Sequence, residues 1–107
     1  MADMQWTRQG VNFACDHGKR LANVQKHAID LIRASEVFFD PFAISNFDDE
    51  HSGQEDRHGM LGRMENEKLA YVVYVLRGEA VRLISARKAT SREAYAYAKQ
   101  AKNISPF

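Results

Sequence analysis

The side chains best suited to chemistry in this sequence are its cations and its imidazoles. Arg63, Arg82 and Arg87 carry planar, permanently protonated guanidinium groups, which can grip two phosphate oxygens but cannot readily serve as bases. Lys26 could give or take a proton beside neighbouring arginines. His27 and His58 carry imidazoles, the side-chain type best suited to acid–base work. Glu93 could act as a base. Each has a plainer explanation. Lys26 complements the negative end of a helix. Arginines on a sheet aid solubility, Arg87 suits a surface ion pair, and Glu93 completes a helix cap. Tyr71, Tyr74, Tyr95 and Tyr97 could stack on nucleic-acid bases, although core packing or helix-to-sheet contact is the plainer account of them.

Charge segregation gives the cations meaning. The net charge is only +1 over 107 residues. Residues 1–33 carry five Lys/Arg against three acids, and residues 34–56 carry seven acids with no Lys or Arg. Residues 57–107 carry ten bases against four acids, a local charge of +6. A near-neutral total therefore leaves room for a basic surface that meets a polyanion.

Other chemistries find little support. Cys15 is the single cysteine, so no internal disulfide can form, which fits a reducing compartment. Cys15-x-His17 and the remaining histidines match no common zinc spacing, so neither metal nor cofactor is expected. There is no Gly-rich phosphate loop and no serine nucleophile elbow. No helix-turn-helix or ribbon–helix–helix pattern points to a DNA-binding regulator. No apolar run of eighteen residues suggests a membrane span, and the polar start lacks a signal-peptide core, so the cytoplasm is the expected location.

The elements that must position these groups can be read along the chain. Hydrophobic content of 45% indicates a globular domain, and the length predicts one domain, 1–107. Residues 1–10 and 103–107 are expected to be flexible. Residues 11–14 alternate as a short strand. Asp16 caps a helix from His17, whose Leu21, Val24 and Ala28 form an apolar face. Asp30 caps a second helix with a stripe of Leu31, Ala34, Val37 and Phe38, which Pro41 stops. Residues 42–46 suit a short strand, and the acidic stretch 46–56 a loop. Three strands follow at 57–64, 69–76 and 80–86, joined by short turns into an antiparallel meander. Thr90-Ser91-Arg92-Glu93 is a capping box that opens a final helix. The reading is α+β: two N-terminal helices, a meander and one C-terminal helix.

Four segments in this order resemble the BrnT family. Leu21-Ala22-Asn23-Val24-Gln25-Lys26-His27 resembles its helical Asn-x-x-Lys-His motif, and Ala34-Ser35-Glu36-Val37-Phe38-Phe39-Asp40-Pro41 its acidic, aromatic helix end. Residues 57–63, with Gly62-Arg63, resemble its first meander strand. Val81-Arg82-Leu83-Ile84-Ser85-Ala86-Arg87-Lys88-Ala89-Thr90 resembles its last strand and the entry to its final helix. The polar start before Val11 is longer than the family's. Phe13-Ala14-Cys15-Asp16 stands where an aromatic, often Trp-containing, strand end is commoner.

The resemblance implies a RelE/ParE-like fold and a ribonuclease toxin of a type II toxin–antitoxin pair, which inhibits translation and growth. It implies an RNA substrate and a BrnA-like antitoxin through which DNA is contacted indirectly. Lys26, Arg63, Arg82 and Arg87 each lie on a shared motif. They are the leading catalytic candidates, ahead of His27, His58 and Glu93. The expected reaction is metal-independent attack of the RNA 2′-OH on the neighbouring phosphate. The alternative is a catalytically silent antitoxin-binding module of the same fold. One conflict stands in the sequence. Arg82 and Arg87 are five apart, so a regular strand would turn them to opposite faces unless it ends or bulges between them.

Overall fold

A computed structural model describes residues 3–49, 53 and 55–104, the last two in backbone only. Within the start, expected to be flexible, residues 3–8 form a strand. Asp3-Met4-Gln5-Trp6-Thr7-Arg8 alternates half-buried and exposed side chains and forms strand β1 (Asp3–Arg8). It pairs antiparallel with β2 (Val11–Asp16). Gln9 and Gly10 both have positive φ, +49° and +81°, as a two-residue hairpin turn requires. Trp6 stacks on Phe13 at 5.6 Å and donates from Nε1 to Ser35 Oγ at 3.2 Å. That burial of an aromatic face ties the strand to the domain.

Asp16 accepts from the Lys19 amide and opens α1 (His17–His27). Ala28 ends it in a left-handed conformation, its amide donating to Val24 O. Asp30 caps α2 (Leu31–Ala34), which is a single turn and passes directly into a 3₁₀ segment, Ser35–Phe39. The expected pair of N-terminal helices is thus one full helix and one turn, both preceded by a hairpin. Asp40 is extended before Pro41, where the stop was predicted.

The remaining strands are β3 (Ile44–Phe47), β4 (His58–Arg63), β5 (Leu69–Arg77) and β6 (Ala80–Lys88). The chain closes with α3 (Ser91–Ile104). Part of the expected acidic loop (50–52 and 54) and the expected tail 105–107 lie outside the described residues. Six strands form one mixed sheet in the order β1-β2-β6-β5-β4-β3. β4, β5 and β6 are the antiparallel meander, and β2 joins β6 in parallel.

One face of the sheet carries the core. Cys15, Val72 and Leu83 of the sheet are buried there against Leu31 and Ala34 of α2 and Val37 of the 3₁₀ segment. Glu36 is buried among them. It accepts from the Glu65 amide at 2.9 Å and faces Arg33 at 3.2 Å and Arg8 at 3.5 Å, so its charge is matched.

α1 does not pack as its apolar spacing suggests. Leu21 and Val24 are 54% and 43% exposed, and the buried residue of the helix is Asn23. β2 runs beside β6 only between Asn12↔Ala80 and Ala14↔Arg82. Beyond that point α1 lies along the edge of β6, where backbone groups need a polar partner.

Candidate functional site

The bulge in β6 decides which side chains share the outer face of the sheet. Tyr74 pairs with Leu83 and Val73 with Ser85, leaving Ile84 as the extra residue. Leu83 and Ala86 therefore both turn into the core. Arg82, Ser85 and Arg87 pair with Val75, Val73 and Tyr71, which alternate along one side of β5, so all three share the opposite face. β6 does not end at Ala86 as expected but continues to Lys88. The bulge, not an early end, resolves the conflict between the two arginines.

Arg87 is the most constrained of these cations. Its guanidinium lies 4.6 Å over the Tyr71 ring and meets Glu93 through two bonds of 2.8 and 2.9 Å. Gly59 makes this possible, because a Cβ there would collide with the Tyr71 hydroxyl and Asn46. Glu93 also accepts from the Thr90 amide, and the Glu93 amide donates to Thr90 Oγ1, completing the predicted capping box. The Arg87 guanidinium holds the Glu93 carboxyl below its usual range, and Glu93 raises Arg87 in return. Burial pushes the Tyr71 hydroxyl upward.

Beside Arg87 is a cavity of about 210 Å³ lined by His27, Arg57, Tyr71, Val73, Ser85 and Arg87. It combines a titratable imidazole, two guanidinium groups and two hydroxyls. That set can hold a phosphate and move a proton at it. A larger cavity of about 620 Å³ also reaches His27 but is floored by Ile29, Met64, Leu69 and Ala89.

The other candidates are distributed differently. Arg82 shares the outer face about 13 Å along the strand from Arg87. There it is engaged by Asp3 through bonds of 2.8 and 3.0 Å. Arg63 lies on the same face of β4 but sits 5.6 Å over Tyr97 and borders a separate depression with Asp40 and Phe42. Lys26 is exposed on α1 next to His27, with no ion pair among the described residues. His58 belongs to the core face, stacked on Tyr74 at 5.4 Å and edge-on to Phe47 at 5.9 Å. The structure thus joins His27 and Arg87 in one cavity, with Glu93 behind Arg87, and leaves Lys26, Arg63, Arg82 and His58 outside it.

Arg57 and Ser85 were not among the sequence candidates. Alternation through Gly59 and Leu61 to Arg63 could have placed Arg57 on the outer face. Nothing local marks Ser85, because the bulge sets its side. Of the tyrosines, Tyr74 and Tyr97 are buried, Tyr71 supports Arg87, and Tyr95 is 71% exposed. Cys15 is buried, which raises its thiol. Among the described residues no three His, Cys, Asp or Glu side chains gather as metal ligands would, and no helix is long and apolar enough to cross a membrane.

Comparison with known proteins supplies the family. The family described as "Ribonuclease toxin, BrnT, of type II toxin-antitoxin system" matches residues 15–93. The crystal structure of the Brucella abortus ribonuclease toxin BrnT superposes with a TM-score of 0.55 at 23% identity, over 72% of this chain and 94% of that one. No curated protein matches. The structural likeness establishes the α+β fold, and the sequence match spans the elements that carry His27, the bulge, Arg87 and Glu93. This chain belongs to the BrnT family, the ribonuclease toxins of type II toxin–antitoxin systems.

Proposed function

We propose that this chain is a metal-independent endoribonuclease whose site is the cavity between α1 and β6. The observation that carries this reading is the meeting of His27, Arg57, Ser85 and Arg87 around one cavity on the outer face of the sheet. In the reaction the RNA 2′-oxygen forms a bond to the adjacent phosphorus and the bond to the 5′-oxygen breaks. A 2′,3′-cyclic phosphate and a 5′-hydroxyl end result. Negative charge grows on the phosphoryl oxygens, and fixed guanidinium groups bind that state better than the ground state. Arg87, stiffened by Tyr71 and Glu93, suits this task, with Arg57 beside it. His27 takes the 2′ proton or supplies the one that the leaving oxygen needs. Lys26, on the same helix turn, is the second candidate for proton transfer. Glu93 is a weak base because Arg87 favours its ionised form. Arg82 and Arg63 serve as outlying contacts for neighbouring phosphates.

On this reading the chain is a RelE/ParE-like toxin that works in the cytoplasm, where it inhibits translation and growth. Its partner is a BrnA-like antitoxin that contacts DNA, and the exposed Leu21 and Val24 beside Lys26 and His27 offer that protein an apolar and basic surface.

Partner-free protein incubated with RNA in EDTA tests the reading. Cleavage leaving 2′,3′-cyclic phosphate ends, identified by mass spectrometry, is the expected result. Intact RNA from folded protein that still binds its antitoxin would leave the silent binding module as the correct reading.

A further inference from the structure

Asn23 makes three hydrogen bonds with one side chain, and all three concern the place where α1 meets β6. Its Nδ2 donates to Ala86 O at 2.9 Å and to Ile29 O at 2.8 Å, and its Oδ1 accepts from the Ala86 amide at 3.0 Å. The ladder between β2 and β6 ends at Ala14↔Arg82, so the edge of β6 needs a substitute partner at Ala86. The carboxamide supplies a donor and an acceptor side by side, as a neighbouring strand would. The bond to Ile29 fixes the chain just after the left-handed Ala28, where α1 ends. Distance and rotation of the last helical turn are therefore set against the residue that precedes Arg87.

We infer that Asn23 is a positioning residue that holds the His27 imidazole across the cavity from Arg87. This rests on the reading of His27 as a proton-transfer group. The apolar side chains of α1 cannot do the same work, since Leu21 and Val24 face outward. Aspartate would set a carboxylate against two carbonyl oxygens, and glutamine would reach one methylene too far. Misplacing a reacting group by about 1 Å can cost about 100-fold in rate, so a clamp of this kind acts on turnover more than on substrate binding.

A double-mutant cycle with His27→Ala tests this, using steady-state cleavage of a short oligoribonucleotide. Asn23→Ala should lower kcat about 10- to 100-fold with KM changed less than about threefold. In the His27→Ala background the same substitution should cost less than about twofold more. An equal loss in both backgrounds would mean that Asn23 only supports the fold, and no loss in either would equally overturn the proposal. Where Asn23→Ala does not fold, Asn23→Ser, which keeps one hydroxyl, runs the same cycle.

The ring-proton resonances of His27 and His58 give a readout that needs no activity. Asn23→Ala should move those of His27 and leave those of His58 in place, and an unmoved His27 overturns the proposal. If the parent protein leaves RNA intact while the His27 resonances still move, the ribonuclease reading fails and the clamp stands.

Discussion

The two ends of β6 each carry an arginine on the same face of the sheet, each gripped by a carboxylate through two short bonds, yet their surroundings differ. At one end Arg82 meets Asp3, which belongs to a strand lying before the segment that matches the family. At the other end Arg87 meets Glu93, rests on Tyr71, and borders a cavity with His27, Arg57 and Ser85. On the proposed reading, a bidentate ion pair is by itself no mark of a reaction site in this protein. On that reading, a cation becomes useful for phosphate chemistry when an imidazole and hydroxyls line the same recess.

The largest effect expected from this contrast is kinetic. Arg87→Ala should lower kcat by about 100- to 1000-fold, the usual loss when a charge-stabilising donor is removed. Arg82→Ala should raise KM by about 3- to 10-fold with kcat nearly unchanged, as expected for a contact made equally in ground and transition states. Initial rates on a labelled oligoribonucleotide separate the two, and an equal fall in kcat would erase the distinction between the ends.

Next comes the anchoring of the β1 end. Trp6→Ala should lower stability by about 2–3 kcal/mol, because it empties an aromatic site that packs on Phe13. The folded fraction should keep its kcat. A urea titration checks the first part, and lost turnover in folded protein would show that the two ends are coupled.

The α3 end should also have an alkaline signature. Tyr97 is buried and donates to Asp40 at 2.6 Å, which pushes its hydroxyl up to about 12 from 10.0. A group whose value is raised by folding stabilises fully below its unfolded value and loses that contribution as pH rises through the folded one. Stability should therefore fall between pH 10 and about 12. Tyr97→Phe should remove this limb and cost about 1 kcal/mol at neutral pH. Thermal melts across that range test it, and an unchanged limb in the variant would assign it elsewhere.

The smallest effect belongs to Asp3→Asn. An exposed ion pair contributes little, so KM and kcat should each change less than about twofold. Glu93 and Asp3 are both held below their usual range by their arginines, so acid titration alone does not distinguish the ends.

The meander, the caps at Asp16, Asp30 and Thr90, and the stop at Pro41 were legible because each rests on contacts within a few residues. β1 was missed although its signals were present: Met4 and Trp6 alternate with polar residues, and Gln9-Gly10 suits a hairpin. The apolar spacing of Leu21, Val24 and Ala28 misled, because the inward side of α1 is set by the hydrogen-bonding needs of β6 and not by the helix itself. His27 and Arg87 could be named as candidates from their types and motifs, but their companionship could not. It depends on the one-residue bulge at Ile84, which no local pattern announces.

What the sequence determined by itself was most of the elements, their order and the supply of cations, since propensity, capping and hydrophobic alternation act over short stretches of chain. The tertiary structure alone decided which cations share a recess. That outcome depends on a parallel pairing between distant strands, on a bulge that reverses the facing of half of β6, and on one asparagine that takes the place of a strand. The parallel pairing and the asparagine join segments far apart in the chain, and the bulge belongs to the pairing of β5 with β6, which no local spacing marks.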